Sequence, residues 1–205
     1  PFFSIIISTR DRPELFLQAL NSVIRQSFND KEIVVVIDGS SESNLSRYRE
    51  FVTRFPEARF LELPHRPNGH GQSYSMNYGV ENSCGQYLCF LDDDDHWNDD
   101  SYLSRTFECL VASRIPVELH YSNQRAVYSN GTEQIVPVWI EDLITRVQSQ
   151  AKHVEDTYFV DTDFLLTSAG FAHLNCSVFE RKFYGSIGGM DETIRYEKTS
   201  NIRLL

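Results

Sequence analysis

The stretch QYLCFLDDDDHW, residues 86–97, joins an apolar run directly to four consecutive aspartates. The run QYLCFL has the continuous apolar character of a strand that is buried on both faces of a parallel sheet. The aspartates stand where that strand ends, and open α/β sheets bind their ligands outside the carboxyl ends of their strands. The stretch therefore predicts an α/β fold with an acidic site at one edge of its sheet.

Two more apolar runs before this stretch predict further buried strands, FFSIIIS at residues 2–8 and EIVVVI at residues 32–37. Between them, apolar pairs recur every four residues, which is the spacing of one helix face. Further helices are predicted over residues 44–55, 71–81 and 101–113. Strands and helices thus alternate through the first 115 residues. This order indicates a mostly parallel central sheet with helices on both sides.

The rest of the chain predicts a smaller, mixed region. Asn130-Gly131 lies between residues 125–128 and 134–138, and this pattern is typical of a β-hairpin. A last strand is predicted near residues 172–179. On such a strand His173 and Asn175 would face the same side, because side chains alternate between the two faces.

The composition argues against several classes of protein. The chain carries 19 basic and 29 acidic residues, a net charge of -10, whereas nucleic-acid binding relies on basic surfaces. No apolar run approaches the length of a membrane span. Four cysteines without CxxC spacing predict buried thiols in a reducing compartment, at positions Cys84, Cys89, Cys109 and Cys176.

The four aspartates suit a divalent cation. Two like charges about 4 Å apart repel by about 4 kcal/mol at an effective dielectric constant near 20, and a bound cation removes this repulsion. Oxygen ligands favour Mg²⁺ or Mn²⁺. The alternative is a solvated acidic loop. The sequence contains neither a G-x-G-x-x-G after the first strand nor a P-loop, so a dinucleotide fold and a P-loop protein are not expected.

Five motifs, in order and over residues 2–197, resemble family two of the inverting glycosyltransferases, which have the GT-A fold. They are SIIISTR at 4–10, IDGSS at 37–41, NYG at 77–79, FLDDDDHW at 90–97 and GGMDE at 188–192. The resemblance implies an enzyme that moves a sugar from a nucleotide-diphosphate donor, first of all a UDP-sugar, to an acceptor hydroxyl. It also implies dependence on Mn²⁺ or Mg²⁺ and inversion of the anomeric configuration.

The resemblance also implies roles for individual residues. Donor contacts fall on Thr9, Arg10, Arg12, Asp38, Asn77, Asp92 and Asp93, with Asp38 accepting a hydrogen bond from uracil. Metal ligands fall on Asp92, Asp94 and Asp95. The catalytic base is expected among Glu197, Asp191 and Glu192, with Glu197 preferred because it stands where the family's acidic pair begins.

The chain departs from the family pattern at two places. Met76 occupies the position of an arginine that contacts the donor, so the donor must be held differently, with Arg66 or His70 as candidates. Residues 198–201 do not continue the acidic pair. Trp97 and Trp139 could stack on a sugar ring, although packing beside the aspartates is the alternative for Trp97. His173 and Asn175, on one face of the last predicted strand, could face the donor or the acceptor there, and the alternative for His173 is a structural role.

We expect residues 1–122 to form a nucleotide-sugar-binding half. Residues 123–205 would form the acceptor-binding half of the same domain, incomplete at its C-terminus. A saccharide, lipid-linked or protein acceptor is expected, in the cytoplasm or at the inner face of the membrane through segments absent here. The alternatives are a sugar-nucleotide-binding module without turnover and a metal-dependent phosphohydrolase. The latter lacks a nucleophilic aspartate directly after the first strand, where Ser8-Thr9-Arg10 stand.

Overall fold

The computed structural model describes residues 1–128, 130–134, 139–147, 152–154 and 157–193. Its N-terminal part alternates strands and helices in this order: β1 (Phe3–Thr9), α1 (Pro13–Ile24), β2 (Lys31–Ile37), α2 (Glu42–Arg54), β3 (Ala58–Glu62), α3 (Gln72–Glu81), β4 (Tyr87–Asp92) and α4 (Tyr102–Ala112). Then follow β5 (Leu119–Tyr121), α5 (Glu141–Val147), β6 (Lys152–Val154), β7 (Thr157–Phe159), α6 (Thr162–Leu165), a 3₁₀ turn (Leu174–Cys176), β8 (Ser177–Glu180) and α7 (Arg181–Ser186). The α/β class and the strands predicted from apolar runs are confirmed.

One sheet of six strands forms the centre, in the order β3-β2-β1-β4-β8-β5. The pairs β3–β2, β2–β1 and β1–β4 are parallel, while β8 is antiparallel to both of its neighbours. Since β8 comes from the C-terminal part of the chain and lies between β4 and β5, both parts share this sheet. Strands β6 and β7 form a separate antiparallel pair.

Alternate residues of the central strands face two separate apolar clusters, one on each side of the sheet. Ile5 and Ile7 pack with Phe16 of α1 and Tyr48 of α2. Ile6, which points the opposite way, packs on the other side with α3 and α7. This layering keeps the strands fully buried and explains why their sequences are continuous apolar runs. None of the described helices is long and apolar enough to cross a membrane.

The predicted last strand begins later than the sequence indicated. Residues 174–176 form a 3₁₀ turn, in which the backbone N–H of Asn175 donates to His173 Nδ1 at 3.3 Å. His173 and Asn175 therefore do not lie on one strand face, and that expectation was wrong. A local side-chain cap competes with extended pairing at this point, and β8 starts only at Ser177.

Two smaller predictions are resolved in part. The Asn130-Gly131 turn joins a bridge between Val127 and Glu133, with Gly131 at φ 81°, and residues 135–138 of the expected second arm lie outside the described residues. Three of the cysteines are buried as predicted, but Cys84 is exposed.

Candidate active site

The parallel strands β1, β2 and β4 end at one edge of the sheet, and their ends bring the predicted donor residues together. At the end of β1, the Thr9 hydroxyl lies 2.8 Å from the Tyr48 hydroxyl and donates to Asp93 Oδ2 at 2.7 Å. Thr9 and Asp93 are both buried. Their contacts fix the end of β1 to the end of β4, so in this structure the two side chains act first as an anchor.

Arg12 connects the same strand end to the aspartate run. Its guanidinium lies 2.7 Å from Asp93 Oδ1 and 2.8 Å from Asp94 Oδ2. Asp93 is buried whereas Asp94 is exposed. Arg10, in contrast, donates to the carbonyl of Pro67 at 2.5 Å. Both arginines thus lie at the edge where a diphosphate is expected, and each already has a protein partner.

The end of β2 places Asp38 beneath the loop that leads into α3. The Asp38 carboxylate accepts from the backbone N–H groups of His70 at 2.6 Å and Gly71 at 3.1 Å. Gly69 has φ 66°, and a Cβ there would lie 2.6 Å from Asp38 Oδ2, so only glycine fits this approach. A carboxylate has about four acceptor sites, so Asp38 keeps capacity for an N–H group of a ligand.

The aspartates that follow β4 lie in different surroundings. Burial and, after it, the neighbouring carboxylates of Asp95, Asp94 and Asp93 together raise the pKa of Asp92 from 3.8 to about 7. Burial likewise raises the pKa of Asp95, with Asp94 adding to the effect. Asp92 therefore lies poorly solvated among other negative charges, with the exposed Asp95 beside it, and a cation would relieve this cost.

Asp92 and Asp95 come together with a residue from the 3₁₀ turn, His173. One ligand atom of each of these three side chains lies within 4.8 Å of the other two. Burial lowers the pKa of His173, which favours the neutral imidazole that metals require. Asp94 is not part of this group and is paired to Arg12. The donor set of two carboxylates and one imidazole fits a divalent cation.

A second set of contacts surrounds Asn77 on α3. Its amide donates to the carbonyl of Met190 at 2.9 Å and to Glu192 Oε1 at 2.8 Å. Its oxygen accepts from the Tyr184 hydroxyl at 2.7 Å and from the Met190 N–H at 3.0 Å. An asparagine has two donors and two acceptor sites, so these four bonds use its full capacity. Asn77 thus anchors the GGMDE segment, and its predicted contact with the donor stays a prediction.

The three candidate bases fall in or after this segment. Glu192 is held by Asn77, while Asp191 Oδ1 accepts from the backbone N–H and the hydroxyl of Thr193, at 3.0 and 2.6 Å. Glu197 lies outside the described residues. The structure therefore places Asp191 and Glu192 on a loop tied to α3.

Sequence reasoning missed Gln72 and the contacts by which His173 and Asn175 organise the site. Gln72 donates to the Asp92 carboxylate. Asn175 accepts from the Asp92 N–H at 2.9 Å and donates to Asp95, and His173 completes the metal-binding group. His173 and Asn175 were expected on one strand face with a possible role toward donor or acceptor, but not beside the aspartates. No local signal marks them, because the 3₁₀ turn meets β4 through contacts that span about 80 residues.

Two other expectations receive structural answers. Trp97 is buried, and its indole N–H donates to the carbonyl of Asn175 at 3.1 Å, so it packs beside the aspartates rather than presenting a face to a sugar. Met76, at the position of the family's arginine, is fully buried in the cluster with Ile6.

Comparisons with known proteins show the family of the chain and structures that share its fold. The sequence model described as Glycosyl transferase family 2 matches residues 4–184. An uncharacterized glycosyltransferase of Nostoc sp. is 31% identical over 119 residues, which are 58% of this chain and 35% of that protein. A PGL/p-HBAD biosynthesis glycosyltransferase of Mycobacterium tuberculosis is 31% identical over 123 residues, 60% of this chain and 46% of that protein.

Solved structures share the fold at low sequence identity. The S. aureus TarS 1-349 structure in complex with UDP has a TM-score of 0.69 and 17% identity, over 97% of this chain and 52% of TarS 1-349. The mannosyltransferase PcManGT from Pyrobaculum calidifontis, in complex with GDP-Man and Mn²⁺, has a TM-score of 0.63 and 16% identity, over 95% of this chain and 48% of PcManGT. In each of these comparisons the chain spans about half or less of the other protein's length.

Proposed function

Because the chain belongs to glycosyl transferase family 2, we propose that it transfers a sugar from a nucleotide-diphosphate donor to an acceptor hydroxyl. The observation that carries the proposal is the convergence of Asp92, Asp95 and His173 at the same sheet edge as Asp38. This arrangement offers a cation site that could bind the diphosphate, beside the Asp38 carboxylate that could bind the nucleobase. Support comes from the fold shared with TarS, which binds UDP, and with PcManGT, which binds GDP-Man.

UDP is the donor nucleotide that the geometry favours. Asp38 is an acceptor held rigidly by two backbone N–H groups, and uracil offers an N–H where cytosine has only a lone pair. The N–H groups of His70 and Gly71, just before α3, donate to the Asp38 carboxylate and so fix its orientation. The donor sugar itself is not specified by these contacts.

Asp92, Asp95 and His173 would hold the divalent cation. Mg²⁺ is bound mostly through oxygen, so the imidazole favours Mn²⁺. When bound, the cation supplies Lewis-acid stabilisation of the charge on the departing diphosphate. Gln72 and Asn175 would orient the two carboxylates, since they donate to Asp92 and Asp95 respectively.

The chemistry would be a single displacement with inversion. The acceptor oxygen forms its bond to the anomeric carbon as the bond from that carbon to the phosphate oxygen breaks, and a carboxylate takes the acceptor's proton. We infer that this base is Glu197, Asp191 or Glu192, with Glu197 preferred. A Glu197→Gln change should lower turnover about 10²–10⁴-fold with UDP affinity nearly unchanged, while Asp191→Asn and Glu192→Gln identify the base if it is not Glu197.

The phosphohydrolase alternative gains no support from the geometry. Its nucleophile would have to be Asp11, which follows β1. Asp11 Oδ1 accepts from the Ser41 N–H and hydroxyl, each at 2.8 Å, and from the Asn44 amide at 2.9 Å. This oxygen is occupied in a turn rather than presented to a ligand.

Calorimetry and turnover together test the proposal. UDP should bind much more tightly with Mn²⁺ than in chelator, because each partner neutralises charge that the other leaves uncompensated. Release of UDP from a panel of UDP-sugars, in the presence of mixed acceptors, then separates an enzyme from a binding module without turnover. Equal UDP affinity with and without Mn²⁺ would contradict the proposed cation site.

A further inference from the structure

An aromatic cluster extends from the cation-binding group toward the surface. The Trp139 ring lies edge-on to Phe171, with 5.0 Å between ring centroids, and edge-on to His173, with 4.8 Å between centroids. His173 also belongs to the group with Asp92 and Asp95. The cluster is therefore continuous with the proposed site of sugar transfer.

The cluster is held in place by polar contacts of α5. The backbone N–H of Trp139 donates to Glu141 Oε2 at 2.8 Å, at the start of this helix. Asp142 accepts from the Ser168 hydroxyl at 2.5 Å and from the Ala169 N–H at 3.1 Å. These bonds fasten the segment before Phe171 to the helix that follows Trp139. The backbone near both rings is thus held by the protein's own contacts, which lowers the entropy cost of binding.

Two features of the cluster are unexplained by packing alone. Phe171 is 54% exposed, although it is a large apolar side chain next to a polar site. Trp139 Nε1 is buried and has no hydrogen-bond partner among the described residues. A buried donor without a partner loses its hydration with nothing in exchange, so native structures rarely leave one without a reason. An exposed ring and an unused donor, side by side, suit a ligand that has both an apolar face and oxygen acceptors.

We propose that Trp139 and Phe171 form a subsite for a pyranose ring of the acceptor. This inference rests on the proposed function and adds the acceptor's chemical class to it. A pyranose has an apolar face of C–H groups that packs on an aromatic ring, and its hydroxyl oxygens accept hydrogen bonds such as one from an indole N–H. His173 lies between this cluster and the carboxylates, so a ring bound here would approach the donor.

Saturation-transfer NMR with methyl pyranosides tests the subsite without requiring turnover. The probes are the methyl glycosides of glucose, galactose, mannose and N-acetylglucosamine, each measured with and without UDP and Mn²⁺. At least one should bind the parent chain, and Phe171→Ala should weaken it about 3- to 10-fold, the usual worth of one aromatic contact. Leu166→Ala is the matched control, because Leu166 is 70% exposed in the same segment and should leave binding unchanged.

Three outcomes would overturn the subsite. They are no binding of any pyranoside to the parent chain, equal binding to the parent and to Phe171→Ala, and displacement of the pyranoside by a UDP-sugar but not by UDP, which would assign the cluster to the donor sugar. Failure of the proposed function has a different signature. If UDP binding proves independent of Mn²⁺ while a pyranoside still binds in a Phe171-dependent way, the donor assignment falls and the subsite stands.

Discussion

The Asp38 carboxylate has two roles, since it anchors the loop before α3 and is proposed to accept a hydrogen bond from the uracil ring. The family resemblance implied the second role, but nothing in the sequence indicated the first, because the N–H groups of His70 and Gly71 lie 32 and 33 residues away along the chain. A change at Asp38 would therefore act on both roles, and the experiment has to separate them.

Asp38→Asn should lower the ratio of UDP affinity to CDP affinity by about one to two orders of magnitude. The amide replaces an acceptor by an N–H donor, and a charged hydrogen bond is worth about 1.5–3 kcal/mol. His70→Ala is the control, because it keeps the backbone N–H that binds Asp38 and removes only side-chain contacts, namely that of Nε2 with the carbonyl of Pro64 at 3.0 Å and the stacking on Tyr74. Calorimetry of both nucleotides should show that the control weakens UDP and CDP alike. If Asp38→Asn left the ratio of UDP affinity to CDP affinity unchanged, Asp38 would not recognise the nucleobase.

The four aspartates show what a sequence motif can and cannot specify. The run predicted a cation site, and the structure brings two of its members together. The motif could not predict which two, because the four aspartates differ in burial and in their partners. Arg12 pairs with Asp93 and Asp94, Asn175 binds Asp95, and both partners are distant in the sequence.

Asp92→Asn should have opposite effects on stability with and without the cation. In chelator at pH 8, the variant should be about 1–3 kcal/mol more stable, because burial and the neighbouring carboxylates disfavour the Asp92 charge. With Mn²⁺ and UDP the parent should gain stability by mass action, and the variant should gain little. Chemical denaturation measures both.

Asp94→Asn distinguishes the two assignments of the metal ligands. Asp94 is exposed and paired to Arg12, and exposed pairs contribute about 0–1 kcal/mol, so this variant should keep most of the stabilisation by Mn²⁺ and UDP. If the variant lost the stabilisation by Mn²⁺ and UDP, Asp94 would return to the set of metal ligands that the family resemblance implied.

At the scale of elements, α3 connects the strand core to the site. The residues before it hold Asp38, Gln72 in its first turn donates to Asp92, and Asn77 holds the GGMDE segment. Helix α3 can do this only because it packs closely on β1, where Gly79 faces Ile6. The NYG motif thus has a structural explanation, namely one anchor and one close contact.

Gly79→Ala should move α3 away from β1, because the added Cβ would overlap Ile6 Cγ2. We expect a loss of about 1–3 kcal/mol in the free energy of unfolding, as for other overpacked cores, together with weaker UDP binding. Gly185→Ala in α7 is the matched control, since its Cβ would meet no atom within 4 Å. There the helix should gain up to about 1 kcal/mol and UDP affinity should stay constant. Thermal unfolding and calorimetry of both variants would contradict this role of α3 if they behaved alike.

The elements that the sequence predicted well are those with local signals. The strands β1, β2 and β4 are continuous apolar runs, and α1 has a regular apolar face with Pro13 at its start. The 3₁₀ turn before β8 was predicted as strand, because nothing local reveals that the His173 side chain caps it. Local patterns therefore predicted the layers, while the site depends on contacts that only the folded chain brings together.

At the scale of the whole molecule, β8 joins the C-terminal part of the chain to the N-terminal sheet. Arg181, directly after β8, donates to the carbonyls of Gly85 at 2.5 Å and Val80 at 3.0 Å and to the Ser4 hydroxyl at 3.2 Å. Its guanidinium thus satisfies groups at the end of α3 and at the start of β1. The proposed division into donor and acceptor halves would then be functional, since the two halves share one sheet.

His120 on β5, at the edge of this sheet, should make the folded molecule sensitive to acid. Its Nδ1 is buried without a partner among the described residues, and burial lowers the pKa of this histidine from 6.5 to about 4. Between these values the unfolded chain binds more protons than the folded one. The contribution of neutral His120 to the stability of the fold is therefore fully present above pH 6.5 and is lost as the pH falls toward 4. Asp92 acts in the opposite direction over a similar range, because its pKa is raised to about 7. The total stability curve thus hides the effect of His120, and the difference between variant and parent reveals it.

Relative to the parent, His120→Phe in chelator should gain about 1–3 kcal/mol in the free energy of unfolding between pH 7 and pH 4. His120→Gln should show the same gain with pH whatever its stability at pH 7, since it also removes the titrating group. Urea denaturation at several pH values measures these differences, and curves parallel to that of the parent would show that His120 does not titrate in this way.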